Sequence, residues 1–133
     1  MKRVLVDTNI IINYGRGDEK LLLNMIDRQE IGELELYVND IIVAEYFAGL
    51  EMESLKRYMW ARDMFNNFFS FLEIDFEVAV KAGVMVAKNE IPVFTNALIA
   101  STCIINNLQL LTTDVKNFSN IPELKLFDIT KIK

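Results

Sequence analysis

Short apolar runs alternate along the chain with longer segments in which apolar residues recur at helical spacing. This alternation is typical of a parallel sheet with helices packed on both faces. The apolar runs predict strands at residues 3–6, 34–38, 70–74, 109–112 and 125–127, the last of them at an edge. The segments between them predict helices at residues 8–14, 19–31, 40–50, 51–69, 76–89 and 95–106. Because the strands are largely apolar in their middle positions, we expect an α/β fold with a buried parallel sheet.

Polar residues near the starts of the predicted helices support these boundaries. Asn39 or Asp40 is placed to cap the third helix and Asp75 the fifth, since Asn and Asp side chains accept hydrogen bonds from the free N–H groups of a first turn. Pro92 shortly precedes the sixth helix, where proline is common. The length of 133 residues suits one domain, so we expect a single unit over residues 1–133.

The composition excludes several classes of catalytic and metal site. The sequence has no histidine and only one cysteine, Cys103. Nucleophile pairs that contain histidine are therefore excluded, as are cysteine-ligated zinc, iron–sulfur centres and a disulfide within the chain. Any catalysis must use carboxylates, amides, hydroxyls or lysines. At 52% hydrophobic residues, the chain has ample material for a core, and we do not expect disorder.

The charge balance argues against binding to nucleic acid through overall charge. The 14 basic and 19 acidic residues give a formal net charge of -5. A polyanionic substrate would therefore need a local group of cations. No uncharged apolar stretch reaches the roughly 18 residues of a membrane span, and the apolar run after Lys2 and Arg3 is too short for a signal peptide. We expect a soluble protein of the cytoplasm.

Two aspartates follow predicted strands. Asp7 comes directly after the first strand and before a helix, and Asp114 follows the fourth strand and precedes a turn. Ligands collect at the carboxyl ends of parallel strands, so both carboxylates are expected at one edge of the sheet. Each residue also has a structural alternative, because Asp7 could cap the next helix and Asp114 could belong to an ordinary turn with an N-cap.

Two further polar residues lie on apolar helix faces. The residues three and four positions away from Glu45 are apolar, so its carboxylate is expected to be buried and to need a cation, and a metal ion could serve. Asn96 has apolar neighbours at the same spacing and is expected to point inward. The alternatives are that Glu45 reaches water at a helix edge and that Asn96 is a helix cap.

Four segments resemble successive motifs of the PIN domain family. They are Val-Leu-Val-Asp-Thr-Asn at residues 4–9, Val-Ala-Glu-Tyr-Phe-Ala-Gly-Leu at 43–50, Thr-Asn-Ala-Leu-Ile-Ala-Ser-Thr at 95–102 and Leu-Leu-Thr-Thr-Asp-Val-Lys-Asn-Phe at 110–118. Within the family, the chain most resembles the VapC-type endoribonucleases, the toxins of toxin–antitoxin pairs. The resemblance implies a three-layer α/β/α sandwich around a parallel sheet and the hydrolysis of RNA phosphodiester bonds.

The resemblance also implies roles for individual residues. Asp7, Glu45 and Asp114 correspond to acidic metal-site positions, and Thr112 corresponds to a supporting hydroxyl. Thr8, next to Asp7, is expected in a similar supporting role. Ligands that are all oxygen, with no His or Cys, favour Mg²⁺ or Mn²⁺ over zinc or copper. Hydrolysis assisted by one or two such ions requires no histidine.

Asn96 stands where the family has an aspartate. Its amide oxygen can still ligate a hard cation, but one negative charge is lost, so Mg²⁺ or Mn²⁺ is expected to bind more weakly. We expect Asp7 and Asp114 to be direct ligands, Asn96 a weakened one, and Glu45 a ligand through water or a residue that orients the nucleophile. An alternative function is a catalytically weak or inactive PIN-like module that binds RNA or a protein partner.

The resemblance implies three partners, namely RNA, a cognate antitoxin protein and a second copy of the chain. The predicted helix 51–69 carries more apolar residues than one core-facing side needs: Leu55, Tyr58, Met59, Trp60, Met64, Phe65, Phe68 and Phe69. They either pack in the core or contact a second copy and an antitoxin segment. Basic side chains on or near the predicted helices either flank a groove for RNA or are scattered over the solvated surface. They are Arg16, Lys20, Lys56, Arg57 and Arg62.

A phosphotransfer domain is a further alternative, because such domains also place an aspartate after the first strand. A phosphatase of the haloacid-dehalogenase type needs a second aspartate two residues after Asp7, where this chain has Asn9. A receiver domain needs an adjacent acidic pair near its first strand, which the sequence lacks. These departures make the phosphotransfer alternative the weaker one.

Overall fold

The computed structural model of the chain describes residues 1–17, 20–50 and 54–131, and its centre is a sheet of parallel strands. The strands are β1 (Lys2–Val6), β2 (Leu34–Asn39), β3 (Ser70–Leu72), β4 (Gln109–Leu111) and β5 (Lys125–Leu126). They lie in the order β3-β2-β1-β4-β5, and every neighbouring pair is parallel. The prediction of a parallel sheet with β5 at an edge is confirmed.

Helices connect the strands. They are α1 (Thr8–Gly15), α2 (Leu21–Glu30), α3 (Asp40–Ala48), α4 (Leu55–Phe68), α5 (Phe76–Ala87), α6 (Phe94–Asn106) and α7 (Val115–Phe118), with a 3-10 turn at Ile129–Lys131. The middle strands have side chains buried on both faces, which shows that helices cover the sheet from both sides. The predicted α/β sandwich is confirmed. None of the helices in the described ranges combines the length with the hydropathy that a membrane span requires.

The helix ends differ from the predicted ones by a few residues. The predicted residues 19 and 51–53 lie outside the described part of the chain, and α4 begins after its cap Ser54. Helix α5 ends before Asn89, which has a φ of 59° that an α-helix does not accommodate. The segment after Asp114 was predicted as a turn, and this was wrong because it forms the four-residue helix α7.

Two predicted caps are confirmed. Asn39 Oδ1 accepts a hydrogen bond from Ile42 N at 3.0 Å, and Asp75 Oδ1 accepts one from Val78 N at 3.0 Å. The Asn39 side chain is fully buried, and its Nδ2 donates to Thr102 Oγ1 at 2.9 Å. This cap therefore also joins α3 to α6.

The register of β1 and β4 determines where the candidate site forms. Val6 lies beside Leu111, and Asp7 N donates to Leu111 O at 2.9 Å, so the pairing continues one residue past β1. The residues that follow both strands, Asp7 and Thr112, therefore emerge side by side at the carboxyl edge of the sheet.

Candidate active site

Asp7 is the buried centre of the candidate site. Its side chain is 7% exposed, and both carboxylate oxygens accept hydrogen bonds. Oδ1 accepts from Thr8 N at 2.8 Å, and Oδ2 accepts from Thr112 Oγ1 at 2.7 Å. Asp7 therefore also caps α1 through Oδ1, as the structural alternative predicted. Its other oxygen, Oδ2, is directed toward the residues after β4.

The pKa of the Asp7 carboxyl is raised above its ordinary value of 3.8. Burial is the largest cause, because it penalises the charged form, and the negative charge of Asp114 adds to it. The hydrogen bonds from Thr112 and Thr8 act in the opposite direction without cancelling the effect of burial. Among the described residues, the groups that shift this pKa do not include a basic side chain. Asp7 is thus a desolvated carboxylate that a cation would stabilise.

Asp114 is joined to Asp7 through one hydroxyl group. Thr112 Oγ1 accepts a hydrogen bond from Asp114 N at 2.9 Å while it donates to Asp7. The half-buried Asp114 carboxylate accepts a hydrogen bond from Asn117 Nδ2 at 2.7 Å. Asp114 occupies the N-cap position of α7, but its side chain accepts no hydrogen bond from the backbone of that helix. The Asp114 side chain therefore does not cap α7, in contrast to the structural alternative of a turn with an N-cap.

Glu45 reaches the same edge from α3. Thr8 Oγ1 donates to Glu45 Oε1 at 2.8 Å, and Thr8 N donates to Asp7, so Thr8 contacts both carboxylates. Glu45 is half-buried, and its helical neighbours Ala48 and Gly49 are exposed. Glu45 is therefore only partly buried, so the structure supports the alternative in which it reaches water at a helix edge over the prediction that it is enclosed by apolar residues. The hydrogen-bond partner of the Glu45 carboxylate is the neutral hydroxyl group of Thr8.

Asn96 is the third residue of α6 and is half-buried. Its alternative role as a helix cap is wrong, because Val93 holds the cap position and no side chain caps this helix. Helix α6 packs against α3, which carries Glu45. The described hydrogen bonds do not join Asn96 to Asp7, Glu45 or Asp114, so its role as a ligand stays a prediction.

The described residues contain no group of three or more His, Cys, Asp or Glu side chains that is arranged to hold a metal ion. The site is thus an open pair of carboxylates, Asp7 and Asp114, with Glu45 held nearby by Thr8. This donor set fits Mg²⁺, which usually binds through one or two carboxylates and keeps several waters. All donors are hard oxygen atoms, which suits Mg²⁺ or Mn²⁺.

Sequence reasoning missed two side chains at this site. Cys103 on α6 is buried close to Asp7, and burial together with the Asp7 charge raises the pKa of its thiol strongly, so it stays protonated. Asn117, one turn after Asp114, donates to the Asp114 carboxylate. Asn117 could have been found if a helix had been predicted after Asp114, because residues three positions apart on a helix are neighbours. The sequence has no comparable signal for Cys103.

The chain is similar to known proteins over most of its length. The family model of the PIN domain matches residues 4–124. No curated protein matches by sequence. A chain in the structure of VapBC2 from Rickettsia felis bound to a DNA fragment from their promoter is similar, with a TM-score of 0.79 and 21% identity over 94% of this chain and 97% of that one.

Two other solved structures are similar over almost the whole length. One is DNA-bound VapBC from Salmonella typhimurium, with a TM-score of 0.78 and 21% identity over 97% of this chain and 99% of that one. The other is FitAcB from Neisseria gonorrhoeae, with a TM-score of 0.73 and 20% identity over 97% and 99%. At such identities these structures support the fold.

Proposed function

The chain belongs to the PIN domain family, and from this premise we propose that it is a metal-dependent endoribonuclease and the toxin of a toxin–antitoxin pair in the cytoplasm. Proteins of this family are generally nucleases, and the structures with similar folds include VapBC assemblies. Membership in this family sets aside the phosphotransfer alternative.

One observation carries the proposal. Two threonines connect three acidic residues from distant parts of the chain. The Thr112 hydroxyl donates to Asp7 and accepts from the backbone N–H of Asp114, while Thr8 donates to Asp7 through its backbone N–H and to Glu45 through its hydroxyl. Carboxylates collected in this way repel one another, and the ion pairs among the described residues do not involve Asp7. A purely structural role would not need this arrangement, whereas a divalent cation would stabilise it.

The residues of the site then have distinct roles. Asp7 and Asp114 would hold Mg²⁺ or Mn²⁺, with Asn96 as a weaker ligand. When bound, such an ion activates water for attack and stabilises negative charge on the phosphate and the leaving oxygen. Glu45 is half-exposed and is fixed by Thr8, so it is suited to orient the attacking water and accept its proton. Thr112 is a positioning residue that fixes the orientation of the Asp7 carboxylate.

A paired cleavage assay tests the proposed activity. The chain and its Asn96→Asp variant are incubated with structured RNA in Mg²⁺, in Mn²⁺ and with a chelator. We expect metal-dependent cleavage that is faster for Asn96→Asp, because an added carboxylate strengthens cation binding. Adding Asp7→Ala to that variant should abolish cleavage. Cleavage that survives Asp7→Ala or the chelator would contradict the proposal.

A cognate antitoxin is the proposed protein partner. The apolar residues of α4 lie partly in the core and partly on the surface. Ala61, Met64 and Phe65 are buried, whereas Leu55 and Met59 are exposed. The packing alternative thus holds for only part of the helix.

Beside α4 lies a mostly apolar groove of about 560 Å³, lined by Val43, Phe47, Tyr58, Phe65 and Phe71 among others. It suits the apolar face of an amphipathic segment.

A further inference from the structure

Asp7, Glu45 and Asp114 together form what we call the acidic edge. A cavity at the other end of α1 has no role in the reaction described above. It has a volume of about 390 Å³ and lies where the ends of α1 and α3 meet the start of α4. Its lining includes Arg16, Tyr46, Ser54 and Arg57, and we call it the basic cavity.

Two guanidinium groups reach the basic cavity from different helices. Arg16 follows the last residue of α1, and Arg57 lies in the first turn of α4. Neither forms an ion pair with another residue in the described ranges. The positive charge of Arg57 acts on the Tyr46 phenol, whose pKa it lowers against the larger raising effect of burial. Two arginines in one cavity form the local group of cations that a chain with a net charge of -5 needs for a polyanion.

Gly15 lies in the wall of this cavity, close to two aromatic side chains. A Cβ atom at this position would lie 3.1 Å from the Tyr46 hydroxyl oxygen and 3.8 Å from Trp60 Cζ3. A larger residue would therefore require the Tyr46 hydroxyl to shift by a few tenths of an ångström.

An exposed aromatic side chain adjoins the basic cavity. Trp60 is 44% exposed, and its ring stacks on Tyr14 with 6.2 Å between centroids and 23° between planes. Trp60 lines a neighbouring hollow of about 320 Å³ that shares Gly15, Ser54 and Arg57 with the basic cavity. Guanidinium groups beside an exposed ring suit a nucleotide, because arginine pairs with phosphate and a base stacks on the ring.

The basic cavity and the acidic edge share two helices. Helix α1 begins at Thr8 in the acidic edge and ends at Gly15 in the cavity wall, a length of about 12 Å. Glu45 and Tyr46 are consecutive residues of α3, one directed to each site. We infer that the basic cavity binds a phosphate of the RNA strand on Arg16 and Arg57, with an adjoining base stacked on Trp60. This inference rests on the proposed function, and it assigns Arg16, Arg57 and Trp60 to the contact with the RNA strand.

The test measures binding of a single-stranded RNA oligonucleotide by the full chain in the presence of a chelator, so that cleavage does not interfere. Trp60 is the only tryptophan, and its fluorescence reports directly on stacking. The double variant Arg16→Gln, Arg57→Gln is compared with the control Lys88→Gln, Lys125→Gln, which removes the same charge at exposed positions on other elements.

We expect RNA to quench Trp60 in the wild type and the control but not in the arginine variant, whose Kd should rise at least about tenfold. The slope of log Kd against log salt should fall by about 0.7, because the variant loses one phosphate contact and each such contact with a single strand contributes about 0.7. Arg57→Lys should keep most of the slope, since the charge remains. Equal melting temperatures would show that the variants are folded.

Four results would overturn the inference. The first is an arginine variant that binds RNA within twofold of the wild type with an unchanged slope. The second is RNA binding without quenching of Trp60. The third is quenching by an acidic peptide and not by RNA, which would assign the cavity to a protein ligand.

The fourth result concerns cleavage and separates this inference from the nuclease proposal. If the arginine substitutions leave cleavage by the Asn96→Asp variant unchanged, the inference is overturned while the nuclease proposal stands. RNA quenching without any cleavage would support it and count against the nuclease.

Discussion

Thr112 determines how the two aspartates of the candidate site are held. It is almost fully buried, and its single hydroxyl donates to Asp7 and accepts from the backbone of Asp114. The neighbourhood of Asp7 and Asp114 could be predicted because both follow strands of a parallel sheet. The hydrogen bond from Thr8 to Glu45 could not, since helical spacing gives the side of a helix on which a residue lies but not the residue that meets it.

Replacing Thr112 by Val removes this hydroxyl and keeps the side-chain shape. The Asp114 N–H and one Asp7 oxygen then lose a partner, so we expect the free energy of unfolding to fall by about 1–3 kcal/mol. Urea denaturation measures the change. Thr112→Ser restores the hydroxyl and should recover most of the loss. Equal stability of the Val variant and the wild type would show that the bridge has no energetic role.

Replacing Asp7 by Asn tests the raised pKa of the carboxyl. The folded state favours protonated Asp7, so the charged form destabilises the protein once the pH is above the raised pKa. Without a divalent cation, the Asp7→Asn substitution should therefore raise the melting temperature at neutral pH. The gain should shrink as the pH falls through the raised pKa and vanish below the ordinary value of 3.8. A variant that melts lower than the wild type at neutral pH would contradict this.

At the scale of elements, the cap of α3 connects the sheet to two helices. Strands, helices and the caps at Asn39 and Asp75 could be predicted because apolar periodicity and capping chemistry are local properties of the sequence. Helix α7 was missed because four residues are too few to show a helical period. The pairing of Asn39 with Thr102, 63 positions apart, depends on how α3 packs against α6 and has no local signal.

Replacing Asn39 by Ala should lower the free energy of unfolding by about 1–2 kcal/mol, because the cap of α3 is lost in a fully buried place. Ser54→Ala is the matched control, since Ser54 caps the exposed start of α4 through a longer 3.4 Å hydrogen bond and should cost only about 0.5 kcal/mol. Urea denaturation of both variants checks the order. A larger loss from Ser54→Ala would contradict the structural role of Asn39.

At the scale of the whole molecule, exposed apolar residues bear on assembly. Apart from the exposed residues of α4, Phe76, Val80 and Val84 form an exposed stripe on α5, and Phe94 begins the adjacent α6. The sequence did not indicate this second face, because surface and core residues of an apolar helix look alike until the packing of its neighbours is known.

We expect the chain to sediment as a dimer at tens of micromolar, and the measurement is analytical ultracentrifugation. If the dimer forms through α5, Phe76→Lys should shift it to monomer, since a charge in an apolar contact is unfavourable. Leu55→Lys on α4 is the control and should leave the dimer intact. A monomer at all concentrations would exclude the dimer, and the opposite response of the two variants would place the contact on α4.

The most direct test of the account is a calorimetric titration of the metal-free chain with Mn²⁺. The account predicts saturable binding that weakens at least about tenfold in Asp7→Asn and in Asp114→Asn, because each variant removes one negative ligand. Asp63→Asn on the exposed side of α4 removes the same charge elsewhere and should bind like the wild type. Binding that is equal in all four proteins, or absent in the wild type, would contradict the claim that the carboxyl edge of the sheet holds a divalent cation.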